Sequence, residues 1–434
     1  MKSIGLVVLS WHYWIDPLKL QPLWELYYAT LLAERFPDSE VDVIDLRGDP
    51  AGPAAAAVPE RDVYVYWIMK SADAFEAYDL VARLRKTYPG SRHIAGGTHV
   101  DNLPDQCSGH FDAILSGSAE DTLELAVHDA LAGRPLERSY ASGRRCPFSD
   151  YSHPRRDFIP PERVVNDKHF QKYGGVPGTG AYFSRGCAFR CNFCVYNVPN
   201  RFEFRTPSQI SAEIDYLKRT YGVRGVNLRD EVCIPVNRKE AIPYLEAIGN
   251  GGIIWRGQTV PMGDEEIVRL AAETGLKEVA LGLESVDSDA VLRLANKPSK
   301  SIDNNKRYIA LLQKYGIRVK VCLIFGLPGE SERVLENTIG FLEEVRPDFV
   351  AVSGFDPVPG SAFFKDPERW GISHIDDDLS KHAHLLFRFG DEEEIGLPFA
   401  YAPETPWGKS LSRDRIATNI REIQAYLRER GMSY

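Results

Sequence analysis

No run of about twenty apolar residues occurs in this chain, so it carries no candidate for a membrane-spanning helix. The opening stretch MKSIGLVVLSWHYW is a short apolar run broken by His12 and, four residues later, by Asp16, without a small-residue cleavage site; a first β-strand is expected there rather than a secretory signal. Lys/Arg runs are also missing and the formal charge is −9, which argues against nucleic acid or an anionic membrane as the main partner. A small cationic substrate is compatible with that surplus of acid. Internal repeats and low-complexity tracts are absent. Cys107, Cys146, Cys233 and Cys322 are scattered and build no disulfide framework, so a reducing, cytoplasmic setting is expected.

A chain of 434 residues, 44% of them hydrophobic, exceeds what one core usually serves and can fill two. From Ser3 to Leu131 short apolar runs alternate with helical stretches: SIGLVVL, a helix from Leu23 to Arg35, VDVIDL, VYVYWI, a helix from Ala74 to Tyr88, RHIAGG and AILSG. This alternation predicts a doubly wound parallel sheet over residues 1–133. Gly96-Gly97 with Thr98-His99, and Gly117 with Glu120-Asp121, fall at strand ends, where such sheets bind ligands. Residues 134–180, rich in Pro, Gly, Arg and Ser, read as a surface linker between domains anchored by Tyr151 and Phe158. Residues 181–364 alternate strand and helix six times and predict a partial parallel (β/α)6 barrel with its chemistry at the C-terminal strand ends. Residues 365–434 read as a C-terminal extension of loops and a final helix, Ser412 to Glu429, that caps the barrel. The fold class is α/β throughout.

The chemistry is concentrated in SRGCAFRCNFC, where Cys187, Cys191 and Cys194 follow the spacing C-x-x-x-C-x-x-C. Three thiolates without a fourth nearby can hold a four-iron cluster and leave one iron open to an outside ligand, which suits catalysis rather than electron transfer. The competing reading, a zinc knuckle, lacks a paired fourth cysteine or a close histidine. With Phe193 before the third cysteine and Ser184-Arg185-Gly186 ahead of the first, the segment resembles the radical S-adenosylmethionine (radical SAM) superfamily. The resemblance implies the partial barrel as core fold and a [4Fe–4S] cluster whose open iron binds the amino and carboxylate groups of S-adenosylmethionine. Reductive cleavage then yields a 5′-deoxyadenosyl radical that takes hydrogen from an unactivated carbon.

Later strand ends carry further matches. Phe193 is implied to lie near the adenine, while Tyr196 and Asn197 read as loop packing. Asp230-Glu231 stands where the superfamily has its G-G-E motif, so one of the two is implied to meet the methionine ammonium or the substrate; without the resemblance, two adjacent acids also read as solvated. In Trp255-Arg256-Gly257-Gln258, alternation lets only one of Trp255 and Arg256 point inward, and Arg256 or Gln258 serves as a contact where relatives place an arginine at Val260. Glu284-Ser285 matches a G-x-E-S string whose glutamate takes the two ribose hydroxyls, and Lys297 reads as a solvated lysine. Ile324 and Gly326, in IFGLPG, match a region that lets the backbone approach adenine; Cys322 there reads as a buried small hydrophobe. Ser353 and Asp356 match the closing segment, with Asp356 at the substrate. Tyr401, Glu404 and Trp407 are candidates to roof the cavity, and the acids Asp391 to Glu394 read as a solvated face.

The N-terminal third resembles the cobalamin-binding domain of one branch of the superfamily, with GGTHV and GSAED where members often read GGPHV and GE. The D-x-H-x-x-G motif of other cobalamin proteins is missing. Trp11-His12-Tyr13-Trp14 sets bulky rings directly after the first strand, where a corrin needs volume, and favours an empty corrin site. The reaction expected on that footing is a non-methylating dehydration or deoxygenation of an amino sugar, as in the radical dehydratases of aminoglycoside antibiotic biosynthesis. Glu231, Asp230 or Tyr401 would be its general acid. Partners expected with it are a cationic amino sugar, a reducing system such as flavodoxin or ferredoxin, and a separate NAD(P)H-dependent reductase. The alternative is a cobalamin-dependent methyltransferase; a third possibility is a cluster- or zinc-holding protein without turnover.

Overall fold

Valine, isoleucine, leucine and tyrosine crowd the first strands, β1 (Lys2–Val8), β2 (Ser39–Asp45), β3 (Val63–Trp67), β4 (Arg92–Gly96) and β5 (Ala113–Ser116). A computed structural model, which describes residues 1–11, 14–48, 58–196, 198–382 and 396–433, joins them with β6 (Ser139–Ala141) into one sheet of order β2-β1-β3-β4-β5-β6. Every pair is parallel. Unbroken burial along Val63–Tyr66 marks strands covered on both faces, by helices that include α1 (Leu23–Arg35), α2 (Ser71–Thr87) and α3 (Glu120–Leu131). Because β1 lies between β2 and β3, strand order reverses beside it and a crevice opens at the strand ends there. His12, Tyr13, Asn197 and the acid run Asp391 to Glu394 lie outside the described residues.

Chain contacts define two compact units, Met1–Gly180 with Glu203–Arg205 and Tyr216–Val223, and Ala181–Phe202 with Thr206–Asp215 and Arg224–Tyr434. Residues 134–180 fold with the first. They supply β6, the Arg155 amide donates to Thr30 Oγ1 at 2.8 Å, and Arg163 pairs with Asp45 at 3.0 Å. Tyr151 stands edge-on to Tyr27 and Phe158 packs on Leu26, Ile159 and Val164. The stretch expected as a surface linker is therefore part of a folded unit, held by half-buried aromatics and ion pairs rather than by periodic apolar runs.

The second sheet takes β7 (Gly178–Ala181), β8 (Gly225–Leu228), β9 (Ile254–Thr259), β10 (Leu276–Glu284), β11 (Arg318–Phe325) and β12 (Phe349–Gly354) in the order β12-β11-β10-β9-β8-β7. Pairing from β8 to β12 is parallel and the sheet is open, a partial barrel as expected. Its helices are α4 (Pro207–Tyr221), α5 (Arg238–Asn250), α6 (Glu265–Glu273), α7 (Asp289–Leu294), α8 (Ile302–Lys314) and α9 (Val334–Val345). Asp264 and Ser301 cap α6 and α8 by accepting backbone N–H groups that have no partner within the helix. The final helix α10 (Arg413–Glu429) buries Ile416, Ile420, Ile423 and Leu427 and packs along β12, which covers an edge strand. No helix among the described residues is long and apolar enough to cross a membrane.

The first turn of α1 buries Glu25, whose carboxyl burial pushes up to about 8, with Asp73 and Asp45 adding to the shift and Arg47 opposing it. The folded chain therefore keeps a proton that the unfolded chain has lost between pH 4.5 and about 8, so stability falls as pH rises through that window. Each unit of such a shift is worth about 1.4 kcal/mol. Urea titrations at pH 5 and pH 8 check this: Glu25→Gln should flatten the loss seen in the parent chain, and equal losses in both proteins would count against the assignment.

Candidate active site

The loop that follows β7 is shaped by Gly186, whose φ of +75° and closeness to Pro199 O, 2.5 Å from where a Cβ would stand, exclude other residues. It presents Cys187, Cys191 and Cys194, all half-buried. Burial pushes the Cys187 thiol up to about 11 and that of Cys194 to about 12, and the sulfurs raise one another further. Asn192 pins the loop: its amide donates to Ala295 O at 2.9 Å and its side chain to Leu294 O at 2.7 Å. Asn296 donates to Arg190 O at 2.7 Å.

Cys233 stays apart, fully buried beside Asp230 and Arg256, with its amide donating to Gln258 O at 2.7 Å. Among the described residues no three His, Cys, Asp or Glu side chains gather as a single metal ion would need, whereas a cubane spreads three thiolates over three irons. The donor set of Cys187, Cys191 and Cys194 thus fits a [4Fe–4S] cluster better than zinc.

Asp230 and Glu231 close β8 with different duties. Asp230 is fully buried; one oxygen accepts from the Phe183 amide at 2.9 Å, the other from Ser184 Oγ at 2.6 Å and the Tyr244 hydroxyl at 2.7 Å. Its carboxyl is pushed up to about 6 by burial, against those hydrogen bonds. The expectation that Asp230 meets a ligand or acts as an acid gives way: both oxygens hold the chain entering the cluster loop. Glu231 is pushed up to about 8 by burial, and its buried Oε2 has no hydrogen-bond partner. It also lies close enough to Cys187 to raise that thiol. Of the two acids, Glu231 is the one open to a ligand.

On β9, Trp255 and Arg256 are both buried, on opposite faces. Trp255 donates to Thr274 O at 3.0 Å, while Arg256 pairs with Glu278 and donates to Asn227 at 3.2 Å, joining three neighbouring strands. Gln258 shares the Arg256 face by alternation and is exposed, so it is the residue left for a contact.

Glu284 ends β10 with φ +67°, at a register shift against β11. This strained backbone turns its carboxylate to Lys297, whose Nζ stands 3.0 Å from Oε1. Lys297 is not solvated: burial pulls its ammonium down, but Glu284 and Cys191 outweigh that and raise it. Ser285 is buried and caps a turn, its Oγ accepting from the Asp287 amide at 3.3 Å, which leaves Glu284 as the carboxylate available for hydroxyl groups.

Ile324 and Gly326 end β11, and the Gly326 amide donates to Glu330 at 2.7 Å. Tyr401 donates to Gly326 O at 2.7 Å, and burial raises its hydroxyl well above the usual phenol range. Tyr401 is therefore a brace and not a general acid. With Trp407 it lines a cavity beside Gly326 and Glu330, to which Glu404 does not contribute. Asp356 is held through Oδ1 by the buried His382 at 2.7 Å, while its buried Oδ2 has no hydrogen-bond partner and stays open to a ligand. Cys322 is half-buried and has charged neighbours, Lys320, Glu284 and Lys297, so it is not a simple hydrophobe. Phe193 is buried, with Lys297 Nζ 5.5 Å from its ring centroid. Reading the sequence missed Glu278, Glu330 and His382 and took Lys297 for a solvated lysine, since a lone charged residue gives no signal until its partner is known.

In the first unit, Gly97 at the end of β4 has φ +105°, and a Cβ there would lie 2.6 Å from Ile68 O. His99 is buried with Nδ1 3.0 Å from Ser71 Oγ and Nε2 3.1 Å from the Tyr78 hydroxyl, so it is no axial ligand. Trp11 packs on the core with Leu46 and carries Arg47 5.4 Å from its ring centroid, and Lys70 lies 4.4 Å from the centroid of Trp14. The rings of Trp11 and Trp14 are thus engaged by their own unit.

Residues 181–342 match the Radical SAM superfamily. Bacteriochlorophyllide d C-12(1)-methyltransferase of Chlorobaculum tepidum is 24% identical over 335 residues, 72% of this chain and 71% of that protein. Anaerobic magnesium-protoporphyrin IX monomethyl ester cyclase of Rubrivivax gelatinosus is 30% identical over 294 residues, 63% of this chain but 52% of that one. Among solved structures, the radical S-adenosylmethionine methyltransferase TsrM of Kitasatospora setae, with cobalamin and a [4Fe–4S] cluster bound, superposes with a TM-score of 0.70 at 16% identity, covering 97% of this chain and 91% of that one. The likeness establishes a shared fold, a parallel sheet followed by the barrel. It lends no support to an empty corrin site or to dehydration.

Alanine at any of Cys187, Cys191 or Cys194 should abolish iron and sulfide binding after anaerobic reconstitution. Asp230→Ala should lose more than half of the iron with all three cysteines intact, because each buried donor left unpaired costs about 1–3 kcal/mol. Glu231→Gln should keep the iron. Iron and sulfide analysis decides; full loading of Asp230→Ala would contradict the role given to Asp230.

Proposed function

We propose that this chain, which belongs to the radical SAM superfamily in the branch with a cobalamin-binding-like N-terminal domain, is a cobalamin-dependent methyltransferase acting on a small molecule. One observation carries the reading: a three-thiolate cluster loop and a doubly wound sheet with glycine-marked strand ends occur in one chain, with the fold of TsrM. The methyltransferase of Chlorobaculum tepidum, matched over most of both chains, supports it.

A [4Fe–4S] cluster held by Cys187, Cys191 and Cys194 supplies the electron for reductive cleavage of S-adenosylmethionine. Glu231 receives its ammonium: its buried Oε2 has no hydrogen-bond partner, and the carboxyl, raised by burial against the pull of Arg229, ionises as that pair forms. Glu284 accepts hydrogen bonds from the ribose hydroxyls, in space that Gly282 leaves open: a Cβ there would stand 2.5 Å from Glu284 Oε1. Ile324 and Gly326 present backbone to the flat adenine, with Phe193 nearby. Gln258 is the exposed polar group left to contact substrate. In the first unit, the strand ends at Gly97 and Gly117 would take a corrin, and methylcobalamin held there would supply the methyl group. No Cβ built at Gly117 meets a neighbour within 4 Å. A one-electron carrier such as flavodoxin or ferredoxin, in a reducing compartment, feeds the cluster.

Dehydration of an amino sugar is not retained, since two of its three acid candidates, Asp230 and Tyr401, are committed to structural hydrogen bonds. The test is reconstitution with iron, sulfide and hydroxocobalamin, followed by desalting. Corrin bands should persist at about one per chain, and incubation with methyl-deuterated S-adenosylmethionine and a reductant should yield both S-adenosylhomocysteine and 5′-deoxyadenosine. A protein that keeps the cluster but no corrin, and makes 5′-deoxyadenosine alone, overturns methyl transfer while leaving the radical chemistry standing.

A further inference from the structure

Lysine is seldom buried unless its charge is answered. Lys297 is 4% exposed, and what answers it is Glu284, 3.0 Å away. The lysine is delivered there by a short clasp. Helix α7 ends at Leu294, Asn296 adopts a left-handed turn at φ +51°, and three hydrogen bonds tie the segment to the cluster loop: Asn192 to Leu294 O and Ala295 O, and Asn296 to Arg190 O. Lys297 follows directly, over the ring of Phe193, which sits between Asn192 and Cys194. Its charge is felt at Cys187, Cys191 and Cys194 alike.

We propose that Lys297 is a positioning residue that sets the ease of reduction of the cluster held by the three cysteines, through a buried positive charge fixed to the cluster loop and moderated by Glu284. This rests on the cluster reading and is independent of which group is transferred to substrate. The step concerned is the gain of one electron from the external carrier; no bond is made or broken, and Lys297, already an ammonium, takes up no proton. Adding an electron adds negative charge beside a cation, and in a poorly solvated site the attraction is weakly screened. Net charge near an iron–sulfur cluster is among the determinants of its potential. Glu284, drawing off part of the lysine's field, opposes the effect, so the two residues make predictions of opposite sign.

The experiment is a mediated redox titration of the anaerobically reconstituted full chain, read by the spin-resonance signal of the reduced cluster, with iron and sulfide measured in each sample. At the parent midpoint potential, Lys297→Gln should lower the reduced-to-oxidised ratio about tenfold, which is 59 mV for a one-electron couple. Lys297→Arg, which keeps the charge, should stay within threefold of the parent, and Glu284→Gln should raise the ratio. A fully loaded Lys297→Gln within threefold of the parent overturns the proposal, as does a Glu284→Gln shift that is downward or nil. If Lys297→Gln takes up no cluster, the arginine variant and Glu284→Gln decide by the same criteria. A parent chain that forms no cluster overturns the underlying reading as well, whereas a normal cluster with unmoved potentials strikes this inference alone.

Discussion

The structure depends on keeping three sulfurs, each of which resists ionising in its buried setting, on one short loop without letting a fourth ligand reach them. Burial raises all three thiols, so the loop favours a metal cluster that accepts their charge over free thiolates. The geometry has to come from outside the loop. Asp230 holds its entry by two hydrogen bonds and is itself held by Tyr244, Gly186 allows the loop's turn, and the Leu294–Lys297 clasp pins its far side. Cys233 is kept under Gly257 and beside Asp230.

The same constraint divides labour between neighbours that look alike. Asp230 and Glu231 are adjacent carboxyls just past the end of β8, yet one sits in a saturated hydrogen-bond cradle and the other keeps an unpartnered oxygen. Trp255 and Arg256 are adjacent and both buried, one braced on the end of α6, the other tying Asn227 to Glu278 across three strands. Backbone strain is used at the site: Glu284 accepts a left-handed conformation at a register shift, and Gly282 leaves the room its carboxylate needs. The first unit follows a different rule. Its sheet is uniformly parallel, and its strand-end residues, His99, Trp11 and Trp14, are engaged within the unit, so what that edge offers a ligand is mostly main chain at the glycines.

Much of this was legible from periodicity alone. The runs SIGLVVL and VYVYWI are β1 and β3, the helix at Leu23–Arg35 stands where the apolar spacing put it, and the cysteine spacing named the cluster loop. Residues 134–180 were misread as a surface linker because isolated anchors such as Arg155, Arg163 and Phe158 carry no period. Lys297 was misread as solvated because a lysine in a turn looks the same whether or not a glutamate thirteen positions earlier bends back to meet it.

The sequence by itself determined the α/β class, the order of strands and helices, and the three-cysteine chemistry, since hydrophobic period and ligand spacing are local properties of a chain. Only the tertiary structure decided which of two adjacent acids stays free, that Tyr401 and Asp356 are held by other groups, and that Lys297 is buried against Glu284 beside the cluster loop. Those outcomes turn on which donors and acceptors meet across strands far apart in sequence, and a buried polar group has its role set by the partner that answers it.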